Sequence, residues 1–168
     1  MTEQATSGAA SGRADYAGQS TDLVKKLTEL LVATRETTIE ESIRDLVNVR
    51  AAQVNGCTFC LDMHVKQAKM HGESELRLYH LASWRDSKLF TPRERAALAW
   101  TEILTKLPEQ GVPDAIYERV RTQLSEREIS DLAFVVVVAN AWNRLNIGFK
   151  PVPGSLDAKF GLEKADLS

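Results

Sequence analysis

Apolar residues recur along this chain at helical spacing, in runs separated by clear punctuation. Leu23, Val24, Leu27, Leu30 and Leu31 form a first stripe, with Thr21 or Asp22 placed to cap it. Thr38-Ile39-Glu40-Glu41 has the form of a capping box, and Ile39, Ile43, Leu46, Val47 and Val54 continue from it as one face. Asn55-Gly56 predicts the stop, because glycine accepts the left-handed conformation of a helix C-terminus. Further helices are predicted from about Thr58 to His71, with Gly72 as the stop, and from about Glu73 to Ser83. Thr91-Pro92-Arg93-Glu94 is a second capping box, with proline at the first helical position, and opens the run Ala96, Ala97, Leu98, Trp100, Ile103 and Leu104. A short helix follows Pro113. Ser125-Glu126-Arg127-Glu128 caps a long one through Phe134, Val135, Val138, Trp142 and Leu145. Valines 135–138 lack strand alternation and follow a strong cap, so they read as a helix buried on most sides. With no strand pattern elsewhere, the predicted fold class is all-α.

Domain organisation follows from the same pattern. Residues 1–20 are rich in Ser, Thr, Ala, Gly and Gln and read as a flexible tail. Residues 21–154 form one helical domain. Pro151, Pro153 and Gly154 end it, and residues 155–168 read as a second tail. A chain of 168 residues is one domain of ordinary size, large enough to bury a core without a metal or disulfide staple.

Charge narrows the function classes. The 21 basic and 23 acidic residues give a net of −2, with no basic stripe for nucleic acid. The longest strictly apolar run, Leu132 to Ala139, is far short of the ~20 residues that span a bilayer. No secretory pattern opens the chain, and a cytoplasmic location is expected. Two cysteines are too few for a secreted disulfide framework and point to a reducing compartment in which the pair does chemistry.

Cys57, Cys60 and His64 carry that chemistry. Cysteines three apart at a helix start lie on one side of its first turn, where the positive helix end favours a thiolate. His64 follows Cys60 by one turn on the same face, and can accept or deliver a thiol proton near neutral pH. Cys-x-x-Cys-x-x-x-His therefore outlines a dithiol redox centre. Half of a zinc site, or plain packing, are the alternatives for the same residues. His71 lies about two turns, roughly 10 Å, beyond His64, and reads as a capping or surface group. His80 and the tryptophans Trp84, Trp100 and Trp142 read as core or interface residues.

The stretch from Leu46 through Gln53-Val54-Asn55-Gly56-Cys57-Thr58-Phe59-Cys60 to His64 resembles the core motif of the alkyl hydroperoxidase D-like (AhpD-like) branch of the carboxymuconolactone decarboxylase family. The likeness continues through Tyr79–Ser87, Phe90–Glu102 and Asn140–Ile147. It implies an AhpD-like all-α fold of antiparallel helix pairs, assembled as trimers or hexamers. The activity it implies is thiol-dependent reduction of organic or hydrogen peroxides. An external dithiol, on a lipoyl or thioredoxin-like protein, would supply the electrons, and no haem, flavin or metal is required. Nucleic acid and membrane are not among the implied partners. Carried over by position, Cys60 matches the peroxidatic cysteine, Cys57 its resolving partner and His64 the relay histidine.

Two positions depart from the family pattern. Its glutamate twelve residues before the first cysteine is Asp45 here, and a histidine before the second cysteine is Phe59. In an antiparallel helix pair Asp45 falls about a turn beyond the level of His64, so a water bridge or weak contact between them is expected. Asp62, next to Cys60 but on another face, is the alternative carboxylate. Apolar Phe59, Leu61 and Met63 favour organic peroxides if they line the site. Two other functions stand beside this one. A decarboxylase would need no cysteine pair and would use cations such as Arg85 and Arg144. A non-enzymatic redox sensor would use the dithiol alone.

Overall fold

The computed structural model describes residues 12–165, and every regular element among them is helical. The elements are α1 (Tyr16–Gln19), α2 (Thr21–Arg35), α3 (Glu41–Asn55), α4 (Thr58–Met70), α5 (Glu75–His80), α6 (Pro92–Thr105), α7 (Asp114–Arg121), α8 (Glu126–Phe149) and α9 (Asp157–Phe160). Single 3-10 turns follow α5 (Leu81–Ser83) and α9 (Leu162–Ala165). α3 lies at the centre and packs against α4, α6 and α8.

The local signals explain most boundaries. Thr91 and Ser125 both form complete capping boxes, with Glu94 and Glu128 bonding back to the cap backbone. Gly56 ends α3 in the left-handed conformation at φ 70°. With only Gly56 and Cys57 between α3 and α4, the chain reverses at once and the two helices pack along their length. The valine run sits inside α8, as the strong cap before it and its lack of strand alternation predicted.

The first proposed capping box, at Thr38, does not form. α3 begins at Glu41, and Glu40 caps it without a side-chain hydrogen bond. Thr38 is engaged elsewhere. Its backbone N–H and hydroxyl both donate to the Asp131 carboxylate, at 3.1 and 2.9 Å. A distant carboxylate on α8 thus outcompetes the local one. Glu40 in turn accepts from Arg93.

The core has three parts. Ile39, Ile43, Val47, Trp100, Leu132, Val135 and Val136 join α3, α6 and α8. Leu46, Val49, Leu78, Leu81, Trp84, Phe90 and Leu98 fill the space on the side of α5. A small cluster of Ala52, Cys57, Phe59 and Cys60 holds the cysteine pair, with Leu61, Met63 and Leu156 against it. α8 has the length and apolar content of a membrane span. Its buried residues include Asp131, Asn140, Asn143 and Asn146, and it packs on α3 and α6 as a core helix.

Both predicted tails need correction. Residues 1–11 and 166–168 lie outside the described residues. Residues 12–20, read as part of a flexible tail, include α1, capped by Asp15 and anchored by Tyr16 to the end of α8. Residues 155–165 lie on α4 because Leu162 and Ala165 find apolar burial there. Lys66 of α4 pins this segment by bonding Asp157 at 2.6 Å and Asp62 at 2.8 Å. His80 is also exposed, its Nδ1 at 3.1 Å from Ser87 Oγ, and is not a core histidine.

Arg93 ties three helix starts together, meeting Glu40 at 2.8 Å and Glu128 at 2.6 Å. That guanidinium, the Ser125 backbone N–H and the Ser125 hydroxyl hold the Glu128 carboxyl at a pKa of about 2. Its folded pKa lies below the ordinary 4.5, so its stabilisation is present above 4.5 and lost as pH falls towards 2. Glu128→Gln should cost on the order of 1 kcal/mol at pH 7. In urea unfolding at stepped pH, the gap to the wild-type chain should close between about pH 5 and 2.

Candidate functional site

The α3–α4 turn builds the centre of the site. Cys57 is the N-cap of α4, and its Sγ accepts the backbone N–H of Cys60 at 3.3 Å. Cys60 lies in the first turn, where the unpaired N–H groups and the helix dipole favour negative charge on sulfur. The two are joined as a disulfide, with Cα atoms 5.3 Å apart. Both are almost wholly buried, at 2% and 3% exposure. Phe59, between them in sequence, is also buried and contributes to the packing around the pair.

His64 follows one turn along α4. Its Nδ1 lies 2.9 Å from Gln67 Oε1. With an amide oxygen as acceptor, Nδ1 carries the proton and Nε2 is the basic nitrogen of the neutral ring. Burial pushes the His64 pKa below its ordinary value, and the Gln67 hydrogen bond partly opposes that. At neutral pH the imidazole is therefore an uncharged base.

Asp45 goes elsewhere than expected. Its carboxylate bonds His71 Nδ1 at 2.8 Å, and His64 bonds Gln67. Helical side chains lean towards the helix N-terminus. In an antiparallel pair, that lean carries Asp45 on α3 away from the Gly56 turn and carries the α4 histidines towards it. Asp45 therefore meets His71, beyond the level of His64. Burial raises the Asp45 pKa, opposed by the His71 hydrogen bond. A small cavity of about 180 Å³ adjoins this pair, next to Glu41 and Glu73. Asp62 is not a partner of His64 either, since it pairs with Lys66.

Two residues that the sequence did not single out stand behind the sulfur, Asn146 touching it and Tyr16 touching Asn146. Asn146 Nδ2 donates to Cys60 Sγ at 3.5 Å, and Tyr16 donates its hydroxyl to Asn146 Oδ1 at 2.9 Å. Asparagines 140, 143 and 146 recur every third residue in an otherwise apolar helix, and all three are buried. That periodicity was the signal available in the sequence. Asn140 braces the α3 end of the turn by accepting from Asn55 at 3.0 Å.

The remaining cations and indoles serve the scaffold. Arg85 and Arg50 both pair with Glu102, at 2.6 and 2.7 Å, and Trp84 donates to the same carboxylate at 2.8 Å. Arg144 donates to Asn140 at 3.1 and 3.0 Å. A shallow groove of about 410 Å³ runs along α4 past Thr58, Leu61, Asp62, Val65 and Lys66.

Comparison with known proteins agrees with this architecture. The sequence profile of the carboxymuconolactone decarboxylase family matches residues 20–102. The uncharacterized protein YdfG of Bacillus subtilis (strain 168) is 36% identical over 137 residues, covering 82% of this chain and 93% of YdfG. Among solved structures, the Agrobacterium tumefaciens protein ATU0492 is of unknown function and regarded as a candidate antioxidant defence protein AhpD. It superposes with a TM-score of 0.79 at 36% identity, covering 82% of this chain and 94% of that one. An uncharacterized peroxidase-related protein from Ralstonia eutropha JMP134, an alkylhydroperoxidase AhpD core, shares the fold at 17% identity. Its TM-score is 0.73, with 83% of this chain and 74% of that one covered. The chain belongs to the carboxymuconolactone decarboxylase family, a family that includes enzymes, and its helical domain has the AhpD-like fold.

Proposed function

We propose that this protein reduces hydroperoxides, organic or hydrogen peroxide, through Cys60, Cys57 and His64. The observation that carries the reading is a disulfide at the first turn of α4 with a neutral histidine one turn further on. In the reduced protein His64 takes the Cys60 proton. The thiolate attacks the peroxide O–O bond, forming an S–O bond. The alkoxide leaves and takes a proton from His64 to become the alcohol. Cys57 passes its thiol proton to His64 and, as thiolate, attacks the Cys60 sulfenic sulfur; the disulfide forms, and the leaving hydroxide takes that proton to become water. An external dithiol on a lipoyl or thioredoxin-like protein then reduces the disulfide by exchange and is itself oxidised. Asp45, bonded to His71, takes no step in this sequence. The reading places the protein in a reducing compartment, where the pair is returned to the dithiol after each turnover.

Intact mass tests the reading. The reduced protein, given one equivalent of cumene hydroperoxide, should lose two hydrogens within seconds. Cys60→Ser should abolish the loss, and Cys57→Ser should stop at a single added oxygen. His64→Ala should slow the reaction by about 10²-fold, the usual contribution of a positioned general base. No mass change over many minutes would overturn the peroxidase assignment and leave a redox-sensing dithiol.

The same base is testable without peroxide. Burial lowers the His64 pKa and the Gln67 hydrogen bond raises it. Gln67→Leu should therefore move the His64 midpoint further down, as followed by ring proton chemical shifts against pH.

A further inference from the structure

Cys60 Sγ has a hydrogen-bond donor from outside its own helix. Asn146 sits at the far end of α8, 86 residues away in sequence, and is 7% exposed. Its amide could in principle turn either face to the sulfur. A disulfide sulfur has no proton to give, and neither has a thiolate, so only the N–H face makes a hydrogen bond in both states. The Tyr16 hydroxyl fits that orientation from the other side, donating to Oδ1 at 2.9 Å. The Tyr16 ring packs on Phe149 with centroids 5.1 Å apart, and Arg13 bonds the Gly148 carbonyl, so the arm carrying the phenol is fastened to the end of α8.

We propose that Asn146 is a catalytic hydrogen-bond donor to the Cys60 sulfur, and that Tyr16 is a positioning residue that locks its amide in the donating orientation. The bond is weak while the sulfur is a neutral disulfide acceptor. It becomes charge-assisted, and roughly twice as strong, when Cys60 is a thiolate. It therefore favours the reactive form selectively. Burial and the neighbouring Asp15 push the Tyr16 phenol pKa up from its ordinary value, so it remains protonated and a donor at neutral pH. Cys57 Sγ takes its donor from the α4 backbone, the Cys60 N–H at 3.3 Å, whereas Cys60 Sγ takes its donor from a side chain of another helix. The inference deepens the peroxidase reading but concerns only the ionisation of Cys60.

The test is the pH dependence of Cys60 alkylation by iodoacetamide, in a Cys57→Ser background where Cys60 is the single thiol. Asn146→Leu removes the donor and should raise the alkylation midpoint by about one pH unit. Asn146→Asp keeps the shape, presents an acceptor, and should raise it at least as far. Tyr16→Phe removes one hydroxyl from a half-buried ring and should raise it by a smaller amount, about 0.3 unit. Circular dichroism of each variant identifies those that remain folded. Midpoints unchanged to within 0.2 unit in the folded Asn146 variants would overturn the proposal. An unchanged Tyr16→Phe midpoint would overturn the role given to Tyr16. No peroxide enters this measurement. A shifted midpoint in a protein inert to cumene hydroperoxide would retain Asn146 and remove the peroxidase reading.

Discussion

The left-handed backbone at Gly56 is the constraint from which the rest of the site follows. A residue with a Cβ adopts that conformation at a cost of roughly 1–2 kcal/mol. Open space surrounds the position, so glycine is needed there for its backbone and not for a tight fit. Because α3 stops there and α4 starts one residue later, the chain reverses within a single step. That reversal makes Cys57 an N-cap and sets Cys60 in a helical first turn. The polarity of the helix end is then delivered to the two sulfurs by geometry alone.

Around that turn, burial and polarity are held in balance. The cysteines lie in an apolar cluster, which by itself raises a thiol pKa. Helix N–H groups and one buried amide offset it. His64 is treated in the opposite sense: burial favours its neutral form, and Gln67 chooses which nitrogen is basic. Further out, Asn140 accepts from Asn55 and Arg144 and donates to Thr105, which ties the turn to α6 and α8.

Local rules made most of the fold legible. Gly56, Thr91 and Ser125 carry their instructions in the neighbouring residues, and the structure follows all three. Thr38 fails because its partner, Asp131, is 93 residues away, and no local motif can announce such a competitor. The same limit applies at the site. Cys57, Cys60 and His64 share about two turns of helix and were readable together. Asn146 reaches Cys60 from 86 residues away and Tyr16 reaches Asn146 from 130, and composition alone made the Tyr16 segment look like a tail. Asp45 shows a different difficulty. Its height on α3 was foreseeable from helix rise, but its partner was decided by the lean of side chains in an antiparallel pair.

The Cys57–Cys60 bond closes within one helical turn, between a cap and the third residue after it. Making or breaking it asks no helix to move past another, and the α3–α4 reversal is held by Gly56 in either case. The pair is thus local to one turn, in a frame that the rest of the molecule builds. A molecule that reacts with it must bring an atom to sulfurs that are 2% and 3% exposed, and so must be slender enough to reach inside.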